Sequence, residues 1–159
     1  MKEIINANGG MLRQFMQDDK GAVIIWSFGL TKQAFLDSPR RSMDTARGVI
    51  DVLKKQGLTP RVGVTSGSAY CGLVGSDYRC EYAILGPSVN LAARLMCACE
   101  KMNTNLLCND ALCEQMLQMH DASYMFTSRG KHTVKGYDNP VEFFVPEPNN
   151  DNDLDMLNI

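Results

Sequence analysis

The segment EYAILGPSVNLAARLM, residues 81–96, contains two polar side chains whose types and spacing could do chemistry. Pro87 fits the first position of a helix, because its missing N–H has no intrahelical partner there, and Gly86 fits the position before it. Asn90 and Arg94 are then four residues apart and share one face of that helix. A guanidinium suits anionic oxygens and an amide makes directional hydrogen bonds, so such a pair can serve a binding or catalytic site. The same spacing is also typical of a solvated helix face, and spacing alone does not decide between the two interpretations.

The other side chains with reactive chemistry give no metal-binding pattern. The cysteines never form the C-x-x-C pairs of structural zinc sites. The two histidines, His120 and His132, have no partner pattern and are interpreted as surface or hydrogen-bonded residues. Without a secretory signal the cysteines are predicted to be reduced thiols, several of them small core residues. They are Cys71, Cys80, Cys97, Cys99, Cys108 and Cys113.

Composition and charge narrow the class of protein. The 159 residues are 45% hydrophobic and 21% charged, which is typical of one compact domain. A formal net charge of -2 gives no basic surface, so neither nucleic acid nor an anionic membrane is predicted as a partner. The N-terminal segment lacks the apolar centre of a signal peptide, and no apolar run is long enough to span a bilayer. We therefore expect no direct membrane insertion and a cytoplasmic location.

Hydrophobic spacing and turn residues predict the elements that must position this helix. Residues 11–29 are rich in strand formers around the turn DDKG and predict a hairpin. The segment SPRRSMDTARGVIDVLKKQG predicts an amphipathic helix that begins behind Ser38 and Pro39 and ends at Gly57. Next, PRVGVTSGSAYCGLVG predicts two short strands around TSGS, which we interpret as a second hairpin.

The C-terminal half continues the alternation of strands and helices. A short strand NLLC is followed by a helix from Asn109 or Asp110 to about Met119, and by a closing hairpin of YMFTSRGKHTVKG with PVEFFVP. This order predicts an α+β fold with helices on one face of a mostly antiparallel sheet. We expect one domain over residues 1–147, followed by an acidic, polar tail or linker at 148–159.

Three blocks of sequence, in this order, resemble the catalytic domain of the class III purine nucleotide cyclases. They are RVGVTSGSAYCGLVG, EYAILGPSVNLAARLM and RGKHTVKG, and the resemblance covers nearly all of residues 4–146. CGLVG followed by EY and VNLAARLM looks most like the soluble adenylyl cyclase branch. The resemblance implies a ferredoxin-like cyclase fold. Its first strand is expected to be missing, because the chain begins inside the helix that precedes the first hairpin.

The resemblance implies a function for Asn90 and Arg94. Cyclases convert a nucleoside triphosphate, ATP or GTP, into a cyclic monophosphate by attack of the ribose 3′ oxygen on the α-phosphorus, with pyrophosphate as the leaving group. By similarity, Arg94 is the arginine that stabilises the transition state and Asn90 orients the ribose. Arg61 matches an arginine at the triphosphate, and Lys135 matches a lysine that reaches the terminal phosphates. Outside the family, each of these two would ordinarily be an exposed charge on a strand or a hairpin.

The positions that read the base depart from the family pattern. Adenylyl cyclases typically use a lysine on the early hairpin and an aspartate or threonine seven residues before the motif asparagine. Guanylyl cyclases tend to use a glutamate and a small residue. Here the two positions are Gln14 and Ala83, which predicts that the purine edge is read loosely or by backbone groups. A shift of the hairpin alignment by one residue would place Arg13 in the first position instead.

The metal-binding carboxylates of the family are also out of place. Cyclases hold two magnesium ions with one aspartate on the first strand and one in a G-D turn, whereas this turn reads DDKG. Asp18 and Asp19 are more typical of turn chemistry than of metal ligands. No metal ligand is therefore predicted here, and the chain resembles the non-metal half of a head-to-tail pair. We expect a second cyclase domain, in cis or in trans, to supply the ligands for Mg2+ or Mn2+.

Three functions stay open on this reasoning. One is half of a dimeric cyclase active site. Another is a degenerate cyclase homology domain, which binds nucleotide or its partner and regulates without turnover. The last is a structural docking module, which gives no reason for Asn90, Arg94 and Lys135 to occur together.

Overall fold

Four helices and eight strands form the part of the chain that the computed structural model describes, residues 1–19, 21–30 and 34–149. In chain order they are α1 (Lys2–Ala7), β1 (Met11–Asp18), β2 (Gly21–Ser27), α2 (Ser38–Lys55), β3 (Val62–Val64), β4 (Tyr70–Ser76), β5 (Arg79–Leu85), α3 (Pro87–Lys101), β6 (Leu106–Asn109), α4 (Asp110–Gln118), β7 (Tyr124–His132) and β8 (Val141–Pro148). The early hairpin, the three longer helices, the NLLC strand and the closing hairpin are confirmed. Of the predicted tail, residues 150–159 lie outside the described residues. Within the described ranges, no helix is both long enough and apolar enough to cross a membrane.

The strands form one four-stranded sheet and two separate hairpins. The sheet has the order β3-β6-β8-β7, with β3 and β6 parallel and the other neighbours antiparallel. The hairpins are β1–β2 and β4–β5, and both are antiparallel. The α+β class and the mostly antiparallel pairing are therefore confirmed.

The predicted second hairpin is wrong, because β3 and β4 do not pair with each other. β3 pairs in parallel with β6, and β4 pairs with β5. The TSGS segment between β3 and β4 is held by side chains from elsewhere. Asn109 accepts a hydrogen bond from the Ser66 N–H at 3.0 Å and donates one to the Ser66 carbonyl at 3.1 Å. The Ser88 hydroxyl donates to the Ser68 carbonyl at 2.8 Å, so this segment is fixed against β6 and α3 and does not form a tight turn.

The helices cover both faces of the four-stranded sheet, which corrects the expectation of one covered face. Successive residues of a strand point to opposite faces, and all four residues of β6 are buried. Leu106 and Cys108 join the core cluster of α2 and α4, whereas Leu107 joins the cluster of α3. A strand that is buried on both sides has a continuous apolar sequence. A run as short as NLLC does not by itself show whether helices cover one face of the sheet or both.

A glycine in β3 sets the distance between α3 and the sheet. A β-carbon at Gly63 would lie 2.8 Å from the Leu95 Cβ and 2.8 Å from the Met96 backbone nitrogen, and closer still to the Ala92 carbonyl oxygen. These atoms belong to the backbone, or directly adjoin it, on the buried side of α3. The helix therefore lies against the bare backbone of β3.

Candidate active site

Helix α3 carries Asn90 and Arg94 on its exposed face. It begins at Pro87, as predicted, and Gly86 precedes it with a φ of 153°, a conformation that few other residues adopt. The buried side of the helix is formed by residues spaced four apart, Leu91, Leu95 and Cys99. Asn90 and Arg94 are both exposed, and neither side chain makes a hydrogen bond or an ion pair with another described residue. Their polar groups are therefore available to a ligand.

Lys135 is held near the same helix by its neighbour in sequence. Val134 is buried in the core cluster that contains Leu91 and Leu95, while Lys135 itself is exposed. The Tyr137 N–H donates to the Val134 carbonyl at 3.1 Å, and Gly136 adopts a φ of 92°, so residues 134–137 form a tight turn that needs glycine at its third position. The structure thus fixes the backbone of Lys135 against the cluster that also holds α3.

Arg61 lies elsewhere. Its Nη1 forms an ion pair of 2.9 Å with the Glu100 carboxylate, near the C-terminal end of α3. Ten residues of helix separate Glu100 from Asn90, which is a distance of roughly 15 Å. The structure does not bring Arg61 to Asn90 within this domain, and its assignment to the triphosphate stays a prediction.

The two predicted base positions lie on different hairpins. Gln14 is exposed on β1, and Ala83 is half-buried on β5. The residues just before them are in contact, because Arg13 Nη2 donates to the Tyr82 carbonyl at 3.2 Å and the guanidinium lies 4.6 Å from the centre of the Tyr82 ring. Arg13 is also the extra residue of a β-bulge, since Leu12 pairs with Trp26 and Gln14 with Ile25. Sequence reasoning missed the Arg13–Tyr82 contact, and the bulge explains why counting along this strand is ambiguous by one residue.

A cleft of about 470 Å³ lies beside the start of α3 and was not foreseen from the sequence. Its walls are the TSGS segment, the first residues of α3 and α4, and the loop that precedes β8. Burial, and then the charge of Asp110, raise the pKa of the Tyr137 hydroxyl at its edge. Neither Asn90 nor Arg94 lines this cleft, so the polar face of α3 and the cleft are separate features.

The described residues offer no metal site. They contain no group of three or more His, Cys, Asp or Glu side chains that could hold an ion. Asp19 is exposed in the β1–β2 turn, and the side chain of Asp18 lies outside the described part of the chain. His132 stacks on Phe143 with 4.6 Å between ring centres, and all six cysteines are free. The described residues therefore offer no set of ligands for the divalent ions that the resemblance to cyclases implies.

Comparison with known proteins decides the family. Residues 32–147 match the sequence profile of the Adenylate and Guanylate cyclase catalytic domain. The chain belongs to this family. The match includes Arg61, Ala83, Asn90, Arg94 and Lys135 but begins after the first hairpin, so Gln14 and Arg13 lie outside it.

The curated relatives of this cyclase domain are much longer proteins. Adenylate cyclase type 10 of Homo sapiens is 35% identical over 91 residues, which is 55% of this chain and 6% of the human protein. The protein of the same name from Oryctolagus cuniculus is 29% identical over 98 residues, which is 60% of this chain and 6% of the rabbit protein. The chain thus spans a small fraction of the length of these relatives.

Solved cyclase structures share the fold. A bacterial light-regulated adenylyl cyclase superposes with a TM-score of 0.71 at 20% identity, over 98% of this chain and 44% of that chain. The adenylyl cyclase CyaB of P. aeruginosa gives 0.67 at 22% identity, over 94% and 78% of the two chains. The guanylate cyclase domain of RhGC from Catenaria anguillulae, solved in complex with GTP, gives 0.70 at 16% identity, over 92% and 77%. The predicted cyclase fold is confirmed, and these likenesses include the first hairpin because they cover nearly the whole chain.

Proposed function

We propose that this cyclase domain supplies the Asn90 and Arg94 half of a purine nucleotide cyclase active site, which a second cyclase domain completes. The observation that carries the proposal is the exposed face of α3, where an amide and a guanidinium stand four residues apart with no partner among the described residues. The family match includes both residues. The relatives named adenylate cyclase support ATP as the substrate, and GTP is the alternative.

In the proposed reaction, the ribose 3′ hydroxyl gives its proton to water, and its oxygen forms a bond to the α-phosphorus. The bond from that phosphorus to the bridging oxygen of the β-phosphate breaks, and pyrophosphate leaves. Arg94 donates hydrogen bonds to the α-phosphate oxygens as negative charge develops on them, and Asn90 holds the ribose in line. Lys135, on its glycine turn, contacts the terminal phosphates. Magnesium or manganese would be held by carboxylates of the partner domain and would there offset the negative charge of the phosphates.

The surface of the two hairpins supports a partner domain. Phe15 on β1 is 58% exposed, Leu73 on β4 is 69% exposed and Tyr78 in the β4–β5 turn is fully exposed. Further large apolar side chains on the same hairpins are exposed, namely Leu12, Met16, Tyr70, Val74, Tyr82 and Leu85. A folded domain seldom leaves so many apolar groups in water unless another protein covers them. We assign this surface to the second cyclase domain. A cytoplasmic location is likewise proposed, since all six cysteines are free.

The decisive experiment compares the domain alone with the domain plus a cyclase domain that carries both metal-binding aspartates. The domain alone should form no cyclic nucleotide from ATP or GTP with Mg2+ or Mn2+, and the mixture should form it. In the mixture, Arg94→Ala should lower kcat on the order of 100-fold with a much smaller change in KM, because its contact strengthens as charge develops. Lys101→Ala removes a cation from an exposed position of the same helix and is the matched control, with parental kcat expected.

Three outcomes would contradict the half-site. Turnover by the purified domain alone would show that it needs no second half. Equal kcat of Arg94→Ala and the parent would return Arg94 to a solvated helix face. Nucleotide binding without product, in the presence of a competent partner, would instead support a regulatory domain without turnover.

Base selectivity is proposed to be weak, because neither Gln14 nor Ala83 offers a charged contact to one purine edge. Restoring the adenylyl pattern with Gln14→Lys and Ala83→Asp in the paired enzyme should shift the preference toward ATP by roughly tenfold, or about 1.4 kcal/mol of differential binding. Competition between ATP and GTP in one reaction measures the ratio. A folded, active double mutant with the parental ratio would show that these positions do not face the base.

A further inference from the structure

The two hairpins that carry the proposed base positions have no sheet in common. β1 pairs with β2 and β4 pairs with β5, and no strand of one hairpin is hydrogen-bonded as a ladder to a strand of the other within the described residues. A ladder would fix the separation of Gln14 and Ala83, as it fixes neighbours in any sheet. Without one, some other contact must hold the two positions at a constant distance if they are to read one ligand.

Arg13 makes a contact of this kind. Its Nη2 donates to the Tyr82 carbonyl at 3.2 Å, and its guanidinium packs over the Tyr82 ring at 4.6 Å. On its own strand, its Nη1 lies 2.9 Å from the sulfur of Met11, and its Nε is buried with no partner among the described residues. The bulge at Arg13 re-aims the side chain relative to the alternation of the strand. The guanidinium therefore lies between the two hairpins, where it contacts both the backbone carbonyl and the ring of Tyr82.

We propose that Arg13 is a positioning residue for base recognition, acting through Tyr82 to hold Gln14 and Ala83 at a fixed separation. This proposal rests on the proposed cyclase function. Arg13 immediately precedes Gln14, and Tyr82 immediately precedes Ala83. The Arg13–Tyr82 contact therefore joins β1 and β5 one residue before each of the two base positions. It binds a carbonyl oxygen, and so fixes the β5 backbone as well as a side chain. A loosened contact would let the two positions move apart and would change which purine is preferred.

The chemistry of the contact suggests a graded series of variants. A guanidinium can stack on a ring and donate in its plane at the same time, which an ammonium cannot do. Arg13→Lys keeps the charge and should lose most of the coupling between the two hairpins. Arg13→Gln should lose all of that coupling. Tyr82→Ala keeps the carbonyl but removes the ring, and should lose part of the coupling between the two hairpins. Tyr82→Phe keeps both the ring and the carbonyl and should keep the parental coupling between the two hairpins.

The first measurement needs no catalysis. Amide hydrogen exchange, followed by mass spectrometry, should be on the order of threefold faster or more in both hairpins of Arg13→Gln than in the parent. Arg79→Gln removes an exposed arginine from β5 and is the control, with parental exchange expected. Parental exchange in Arg13→Gln would show that the contact does not couple the hairpins and would overturn the proposal.

The second measurement uses the domain paired with its metal-bearing partner. Arg13→Gln and Arg13→Lys should change the ratio of kcat/KM for ATP and GTP by roughly threefold or more, mainly through KM, with Tyr82→Phe at the parental ratio. Faster exchange with an unchanged ratio would make Arg13 a purely structural residue. A changed ratio with unchanged exchange would mean that Arg13 touches the base itself. Either result overturns the proposal and leaves the cyclase function standing, whereas a parent that neither binds nor converts nucleotide refutes the cyclase function and, with it, any role in base recognition.

Discussion

Replacing Gly63 with alanine tests whether the close packing of α3 on β3 positions the polar face of the helix. The added β-carbon would lie 2.8 Å from both the Leu95 Cβ and the Met96 nitrogen, and closer to the Ala92 carbonyl oxygen. Ordinary contacts between heavy atoms are about 3.5 Å, so α3 and β3 must separate by on the order of 1 Å. None of the three atoms is the end of a flexible side chain, so rotation of a side chain cannot relieve the overlap.

The expected cost follows from what the displacement disturbs. Overpacking of this kind typically costs 1–3 kcal/mol, and we expect about 3 kcal/mol because the obstructing atoms belong to or adjoin the backbone. A shift of about 1 Å in catalytic groups can lower a rate roughly 100-fold. Asn90 and Arg94 move with α3, so Gly63→Ala should lower kcat of the paired enzyme on that order even under conditions where the domain remains folded.

Urea unfolding followed by circular dichroism measures the first effect, and kcat with the metal-bearing partner at a temperature well below the transition measures the second. With an m-value of about 2 kcal/mol/M, the midpoint should fall by roughly 1.5 M. Gly48→Ala is the control, because Gly48 lies within α2 and its β-carbon would meet only the side chain of Ile4, at 3.2 Å. Alanine favours helix, so this control should be neutral or slightly stabilising. A parental midpoint for Gly63→Ala would refute the packing argument, and a lowered midpoint with full kcat would refute its link to the active site.

Three further predictions concern the interior. Iodoacetamide should label the exposed Cys97 of the native domain at least ~100-fold faster than the buried Cys99, because the thiolate reacts and burial raises the pKa of Cys99 to about 11; equal rates by mass spectrometry would contradict this. The stabilisation linked to that raised pKa is complete below the ordinary thiol value of 9.0 and is lost as pH rises through about 11. The gap in unfolding free energy between the parent and Cys99→Ala should therefore narrow by about 2 kcal/mol from pH ~8 to ~10.5, and a constant gap would exclude the shift. Tyr124→Phe, which removes a partly buried hydroxyl that donates to Asp44 at 2.7 Å, should lower the unfolding free energy by about 1 kcal/mol in urea titrations, and no change would show that the bond adds nothing.

The sequence predicts the local elements of this domain correctly where the spacing of apolar residues or a turn residue allows only one interpretation. Helix α3 begins at Pro87 because proline suits its first position and Gly86 tolerates the conformation before it. The β1–β2 turn and the end of α2 before Gly57 follow from similarly local chemistry. The exposed pair on α3 was also predictable, since a separation of four residues fixes a shared helix face.

Long-range pairing was not predictable in the same way. β3 has only three residues, Val62–Val64, and its partner β6 begins more than forty residues later, so nothing near β3 specifies that pairing. Two hydrogen bonds between Asn109 and Ser66 hold the TSGS segment in a conformation that is not a hairpin turn. In the sequence, asparagine and serine are both typical turn residues, so neither one indicates this long-range contact. The bulge at Arg13 changes the alternation of β1 without any glycine or proline to mark it.

Helix α3 divides its two tasks between a buried face and an exposed face, and this division makes the proposed function separable from the fold. Leu91 and Leu95 are almost completely buried, so truncating either would remove core contacts worth roughly 2–5 kcal/mol. Arg94 is exposed and makes no ion pair with a described residue, so its removal should change the unfolding free energy very little. The domain gains almost no stability from holding a guanidinium there. A loss of kcat in Arg94→Ala therefore cannot be ascribed to unfolding and must be explained by what the exposed face of α3 binds.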